Sequence, residues 1–159
     1  METTYAAALA VIRQSIEMFR EALRGLPDDA MDWIPAAAMS PLSVLVAHNC
    51  SSLRFFAGCG AGRVSSIGAY REGARAAAFR ARGLTAAAAL QECDAAESDV
   101  AALLQAAGPA DLEATIRWPE EPGMVMSGAE ALLRSVGHLR EHVGHAQLMR
   151  DLWQAGHPS

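Results

Sequence analysis

From Thr4 to Leu26 the apolar positions Tyr5, Leu9, Ile12, Ile16, Phe19 and Leu23 step by three or four, which places them on one face of a helix. Gly25 and Pro27 supply its stop. A connector from Pro27 to Ser40 follows, with several acids, Trp33 and Pro35. Ser40-Pro41 then offers a serine N-cap and a proline at the first helical position, so a second helix is expected to start there. It carries Val44, Leu45, His48, Ser52, Phe55 and Phe56 on one broad side and should end at Gly58–Gly60. The stretch from Gly60 to Gly83 is cut by Gly62, Gly68 and Gly73 and reads as a long connection with one short helix. Thr85 to Ala107, with Leu84, Leu90, Val100, Leu103 and Leu104 on an alanine background, predicts a third long helix closed by Gly108-Pro109. Trp118-Pro119 and Pro122-Gly123 punctuate another connector. Ser127 with Glu130 forms a capping box for a last helix running to about Gln154. Four long helices and no convincing strand predict an all-α, four-helix bundle. Its long connections allow crossovers.

Composition narrows the chemistry. The 159 residues are 52% apolar and carry 18 acids against 13 bases, a formal charge of -5. That length fits a single domain over 1–159 with a substantial core, and that charge argues against a nucleic-acid partner. All 13 bases are Arg, a composition bias from which no mechanism follows. Cys50, Cys59 and Cys93 are odd in number and lack a CxxC, so neither a disulfide framework nor a thiolate zinc site is expected, and a reducing cytoplasm fits. The apolar run Ala6–Ile12 is stopped by Arg13, follows no basic segment and is too short to span a bilayer, so no export signal or membrane anchor is expected.

The histidines carry the sharper signal. His138, His142 and His145 lie within about 60° of one another around the last helix. His138 and His142, at i and i+4, can share one ion. His145 rises about 10.5 Å above His138, too far for all three to share it comfortably. Two ligands leave a transition metal underbound, and the remaining imidazoles are His48, mid-helix among apolar residues, and His157, in the terminal tail. His48 is the better third ligand. Cys50 points about 200° away from it. Three neutral imidazoles suit zinc, nickel, copper or iron and leave room for water or substrate.

His138-Leu139-Arg140-Glu141-His142 also spells HxxEH, the pattern of inverted zinc peptidases, but no Glu follows His142 to supply their third ligand. Glu141 is a candidate proton acceptor beside a metal-bound group; its plainer role is a solvated acid beside Arg140. Ser43, Ser51 and Ser52 lie near His48 without forming a triad. Arg54, Arg63, Arg71, Arg75, Arg80 and Arg82 crowd a region whose only acid is Glu72. They read first as solvated charge, and otherwise as anchors for substrate carboxylates if the segment folds over the bundle mouth. Trp33, Trp118, Trp153, Met124, Met126 and Met149 read as packing, or as part of a dimer face.

Taken in order, the Trp33-x-Pro35 connector, the Ser40-Pro41 entry to the helix bearing His48, and the closing His138-x3-His142-x2-His145 run resemble the DinB-like (DinB/YfiT-like) superfamily of metal-binding four-helix bundles. The resemblance covers nearly the whole chain. It implies a zinc or nickel site at His48, His138 and His142, with His145 as a neighbouring, non-ligating residue. Many relatives have Gly-Gln after the last His; Ala146-Gln147 stands here, so no role passes to Gln147. The family includes thiol-cofactor transferases and isomerases, such as the mycothiol-dependent maleylpyruvate isomerase, and its bundles often pair. The expected protein is therefore a cytoplasmic, homodimeric, metal-dependent enzyme that activates a low-molecular-weight thiol or water toward a small-molecule substrate. The alternative is a non-catalytic, metal-stabilised dimeric bundle with a binding or sensing role.

Overall fold

The structure, a computed structural model, describes residues 3–64 and 66–157. Its long helices are α1 (Thr3–Leu23), α2 (Leu42–Gly60), α4 (Ala86–Gln105) and α6 (Gly128–Gly156). A helix α3 runs through Ile67–Tyr70, a π turn at Arg71–Arg75 and Ala76–Phe79. A short α5 (Pro109–Glu113) leads into strands β1 (Thr115–Trp118) and β2 (Glu121–Ser127).

Around the bundle the neighbours run α1, α4, α2, α6 and back to α1, so α1 and α2, consecutive in sequence, sit on a diagonal. Directions follow from side-chain contacts. Tyr5 Oη donates to Gly60 O at 2.7 Å, joining the start of α1 to the end of α2. Leu132, one turn into α6, lies against Gly60 at that same end, and Tyr5 Oη also reaches Gly108 O, just beyond α4, at 3.4 Å. Hence α1 and α6 run one way and α2 and α4 the other. The diagonal steps need the long connectors seen in the sequence.

The apolar face predicted for α1 is the centre of this core: Tyr5, Leu9, Ile12, Ile16, Phe19 and Leu23 are all buried, against Leu53, Val100, Leu104, Leu132 and Leu139. Each large side chain so buried contributes about 1.5–3 kcal/mol of transfer free energy. Gly25 takes φ +76°, the left-handed turn that ends α1 where the sequence placed its stop. Arg20 grips Asp94 and Glu97, and Arg54 grips Glu92 and Asp99, fastening α1 and α2 to α4. Acids of the first connector bind the opposite segment: Asp32 accepts from Gly83 N at 2.6 Å and Asp28 from Ala86 N at 2.9 Å.

Three local expectations change. Helix α2 starts at Leu42 with Pro41 at the N-cap, so Ser40 does not cap it. Ser127 does cap α6, accepting from Glu130 N at 3.1 Å, but Glu130 turns to Arg134 instead of closing the box. The connector read as strandless contains an antiparallel hairpin, with Ile116 opposite Met126 and Arg117 opposite Val125. Only Trp118 and Met126 of it are buried, in a small second apolar cluster with Phe55, Cys59, Ile67 and Ala131. This cluster seats the hairpin and α3 against α2 and α6. At the same end the two helices approach closely: a Cβ on Gly60 would meet Leu132 Cβ at 3.1 Å, and one on Gly128 would overlap the backbone of Asp111.

Candidate metal centre

Leu139, Val143, Ala146 and Met149 bury one stripe of α6 in the core. That anchoring turns the adjacent stripe, His138 and His142, toward α2, where His48 projects from a helix buried along most of its length. The antiparallel contact of α2 with α6 then sets the register, and residues 90 apart in sequence meet: His138 Nε2 lies 3.2 Å from His48 Nε2. The ring centroids of His48, His138 and His142 are 4.5–5.1 Å apart, and one nitrogen from each falls within 4.8 Å of the others.

His145 packs one turn on, its Nδ1 3.3 Å from His142 Nδ1. That leaves His142 Nε2 buried without a hydrogen-bond partner. A buried, unpaired imidazole nitrogen carries a desolvation cost that a cation or a proton removes. Burial first, then the neighbouring charges of His142, His138 and Arg75, pushes the pKa of His48 down to about 4. Burial, then His138 and His145, pushes His142 down to about 4 against the opposing pull of Glu141. Burial also lowers His138, opposed by Glu141 and aided by Arg75. At neutral pH the three rings are uncharged, so their lone pairs are available. A set of neutral imidazoles with an unpartnered nitrogen turned inward fits a borderline divalent ion.

His157 stands outside the cluster, stacked on Trp153 at 3.7 Å. Glu141 is exposed on α6, and Arg140 turns away from it toward Met18 and Gln14 of α1. The thiols offer no nucleophile. A hydrogen bond with Cys93, followed by burial, raises Cys50 well above the usual thiol range, and burial pushes Cys59 up to about 12.

Two neighbours, Tyr70 and Phe79, were not singled out by the sequence, and two that it named, Ser52 and Arg75, join them at the cluster. Ser52 Oγ lies 3.4 Å from His48 Nδ1 and 2.6 Å from Tyr70 Oη, so a relay of hydroxyls backs the ring whose other nitrogen faces the cluster. Ser52 is one helical turn from His48, the proximity noted in the sequence. Tyr70 stacks on Phe55 at 4.0 Å. The ring of Phe79 lies 4.6 Å from that of His48, and the Arg75 guanidinium lies over Phe79 at 4.7 Å. Tyr70 and Arg75 bracket the π turn of α3, an irregularity frequent at functional sites. Together with His48 and His138 they line a cavity of about 200 Å³. The other side of the cluster, at His142 and His145, opens on a more apolar cavity of about 280 Å³ bounded by Met39, Leu45 and Leu148.

Among solved structures, the crystal structure of a mycothiol-dependent maleylpyruvate isomerase superposes with a TM-score of 0.63 at 13% identity, covering 91% of this chain and 62% of that one. At that identity the likeness is one of fold, and the chain spans less than two thirds of the neighbour's length. No curated protein matches significantly. No described helix is long and apolar enough to cross a membrane. The profile of the DinB superfamily matches residues 12–146, which takes in all three clustered histidines, and the chain belongs to that superfamily.

Proposed function

We propose that this chain, a single domain over 1–159, is a cytoplasmic metal-dependent enzyme in which His48, His138 and His142 hold one divalent ion, zinc or nickel. The observation that carries this reading is the meeting of three uncharged imidazoles from two helices, with His142 Nε2 buried and unpaired. A bound ion would lower the pKa of a thiol or water beside it and so supply a nucleophile that the buried cysteines cannot.

The chain's own groups do the rest. Ser52, itself held by Tyr70, takes up Nδ1 of His48 and so sets its tautomer, which leaves Nε2 as the ligand atom. Phe79, its ring 4.6 Å from that of His48, lies over that side. His145 braces His142 through Nδ1. Glu141, exposed on the adjoining face of α6, is the candidate acceptor for the proton that the thiol or water releases. The mycothiol dependence of the structural neighbour supports a low-molecular-weight thiol as co-substrate with a small-molecule electrophile. Pairing into a homodimer belongs to the same reading: Leu133 and Leu148 of α6 are 72% and 50% exposed. Sedimentation analysis would show a dimer, and a monomer at all concentrations would remove that part.

Metal analysis tests the core of the proposal. Tag-free protein, as isolated and after chelation and reloading, should carry about one equivalent of zinc or nickel, and His48→Ala should lose it while keeping its helical circular dichroism. A folded wild type that takes up no metal refutes the reading. Metal with no turnover in thiol-conjugation and ester-hydrolysis screens would leave a metal-stabilised binding bundle.

A further inference from the structure

The cavity beside His48 and His138 is also lined by Arg71, Arg75 and Arg134, and no carboxylate lines it. Two of these arginines are engaged. Arg71 is paired with Glu121 of β2, and Arg134 with Glu130 at 3.0 Å. Arg75 has no carboxylate partner among the described residues. It is nonetheless held in place, its guanidinium over the Phe79 ring, which in turn lies against His48. The remaining lining is largely apolar, with Phe55, Phe56, Met124 and Met126.

We infer that this cavity is an anion subsite, in which Arg75 receives the carboxylate of a small substrate whose apolar body lies against Phe55 and Phe56. This rests on the metal-centre reading for its catalytic meaning, but not for the binding itself. The argument is one of charge and size. A stacked guanidinium with free donors is oriented to take a carboxylate in its fork, and stacking reduces the rotamer entropy lost on binding. A cavity of about 200 Å³ lies below the roughly 300–1,000 Å³ of drug-sized sites, so the ligand is small. An ion at the three histidines would add positive charge to the same walls, and a carboxylate would neutralise it without displacing any pair already made. The other arginines of the region do not line the cavity: Arg54 is held by Glu92 and Asp99, Arg63 by the Ala106 carbonyl and Arg82 by the Ala81 carbonyl, and Arg80 lies outside the lining. Arg75 is thus the specificity-determining residue of the segment.

Calorimetric titration of benzoate, with benzamide as its uncharged counterpart, into the purified protein and its chelator-treated form tests this. Saturable benzoate binding is expected in both, at least tenfold tighter than benzamide. Arg75→Gln should weaken it about tenfold, Arg75→Lys should restore part of the loss, and Arg80→Gln, outside the cavity, should leave it unchanged. Equal benzoate affinity in wild type and Arg75→Gln, equal affinity for benzamide, or no saturable binding would each overturn the inference. Metal uptake by the same samples separates the two readings. Metal bound with no effect of Arg75→Gln removes the subsite alone, and benzoate bound through Arg75 without metal uptake removes the metal centre alone.

Discussion

Helices α1 and α6 lie side by side and run in the same direction, yet their buried faces do different work. On α1 every buried large side chain is apolar except the Tyr5 hydroxyl, and that donates to the Gly60 carbonyl. On α6 a comparable apolar stripe, Leu132, Leu139, Val143, Ala146 and Met149, is flanked by His138, His142 and His145. One helix satisfies all it buries; the other leaves His142 Nε2 without a partner. The difference shows how a bundle can carry a histidine cluster without losing its core: the apolar stripe holds the helix, and the neighbouring stripe is free to hold groups that packing alone would disfavour.

The contrast can be broken from either side. The largest expected effect is on α6, where His138→Ala or His142→Ala should take metal content from about one equivalent to none, with helicity retained, as measured by metal analysis and circular dichroism. Phe19→Ala on α1 should do the reverse, costing about 3–5 kcal/mol in urea unfolding while the folded fraction keeps its metal. Retention of metal by His142→Ala, or its loss in folded Phe19→Ala, would erase the distinction.

Acid should also act through the histidine stripe. His48 and His142 titrate at about 4 in the folded protein, below the ordinary 6.5, so between those values the unfolded chain binds more protons. The metal-free protein is therefore expected to hold its full stability above about pH 6.5 and to lose it as pH falls toward 4. Urea midpoints at pH 7.5 and 5 would measure the loss, and His142→Asn should flatten it; an unchanged slope would show that the ring is not held neutral. A smaller effect is expected from Ser52→Ala, which removes the hydroxyl behind His48 and should weaken metal affinity about tenfold, with Tyr70→Phe weaker still. Competition titration against a chromogenic chelator would resolve both. Smallest of all, Leu133→Ala, exposed on α6, should change monomer stability by less than about 0.5 kcal/mol.

The two helices also differ in how far their sequences reveal them. The spacing of α1 specifies both its span and its buried face, because an apolar stripe has one use. On α6 the i, i+4 spacing shows that His138 and His142 share a face, and the mid-helix position of His48 singles it out, but spacing is silent on which helix faces which. The hairpin escaped because it buries only Trp118 and Met126, too little for an alternating pattern, and Pro119, Pro122 and Gly123 look like turns. One short helix is expected between Gly60 and Gly83, but Gly68 and Gly73 conceal the bounds of α3. Gly68 has a local reason: a Cβ there would meet the Glu120 side chain at 3.0–3.2 Å. Arg75 and Phe79 could not be placed at the site because their position depends on how α3 folds back over α2, a long-range property that local propensity does not encode.

The separation of His48 from His138 along the chain has a consequence for how the protein comes into being. A polypeptide emerging from the ribosome has its first candidate ligand outside long before the other two, and no pair of adjacent elements in the N-terminal half can assemble the cluster. The site is completed only when α6 docks on α2, after the entropy of closing a loop of about 90 residues has been overcome. Metal capture would thus be a late event, confined to chains synthesised past His142, and products truncated before it would leave the cell's metal pool untouched.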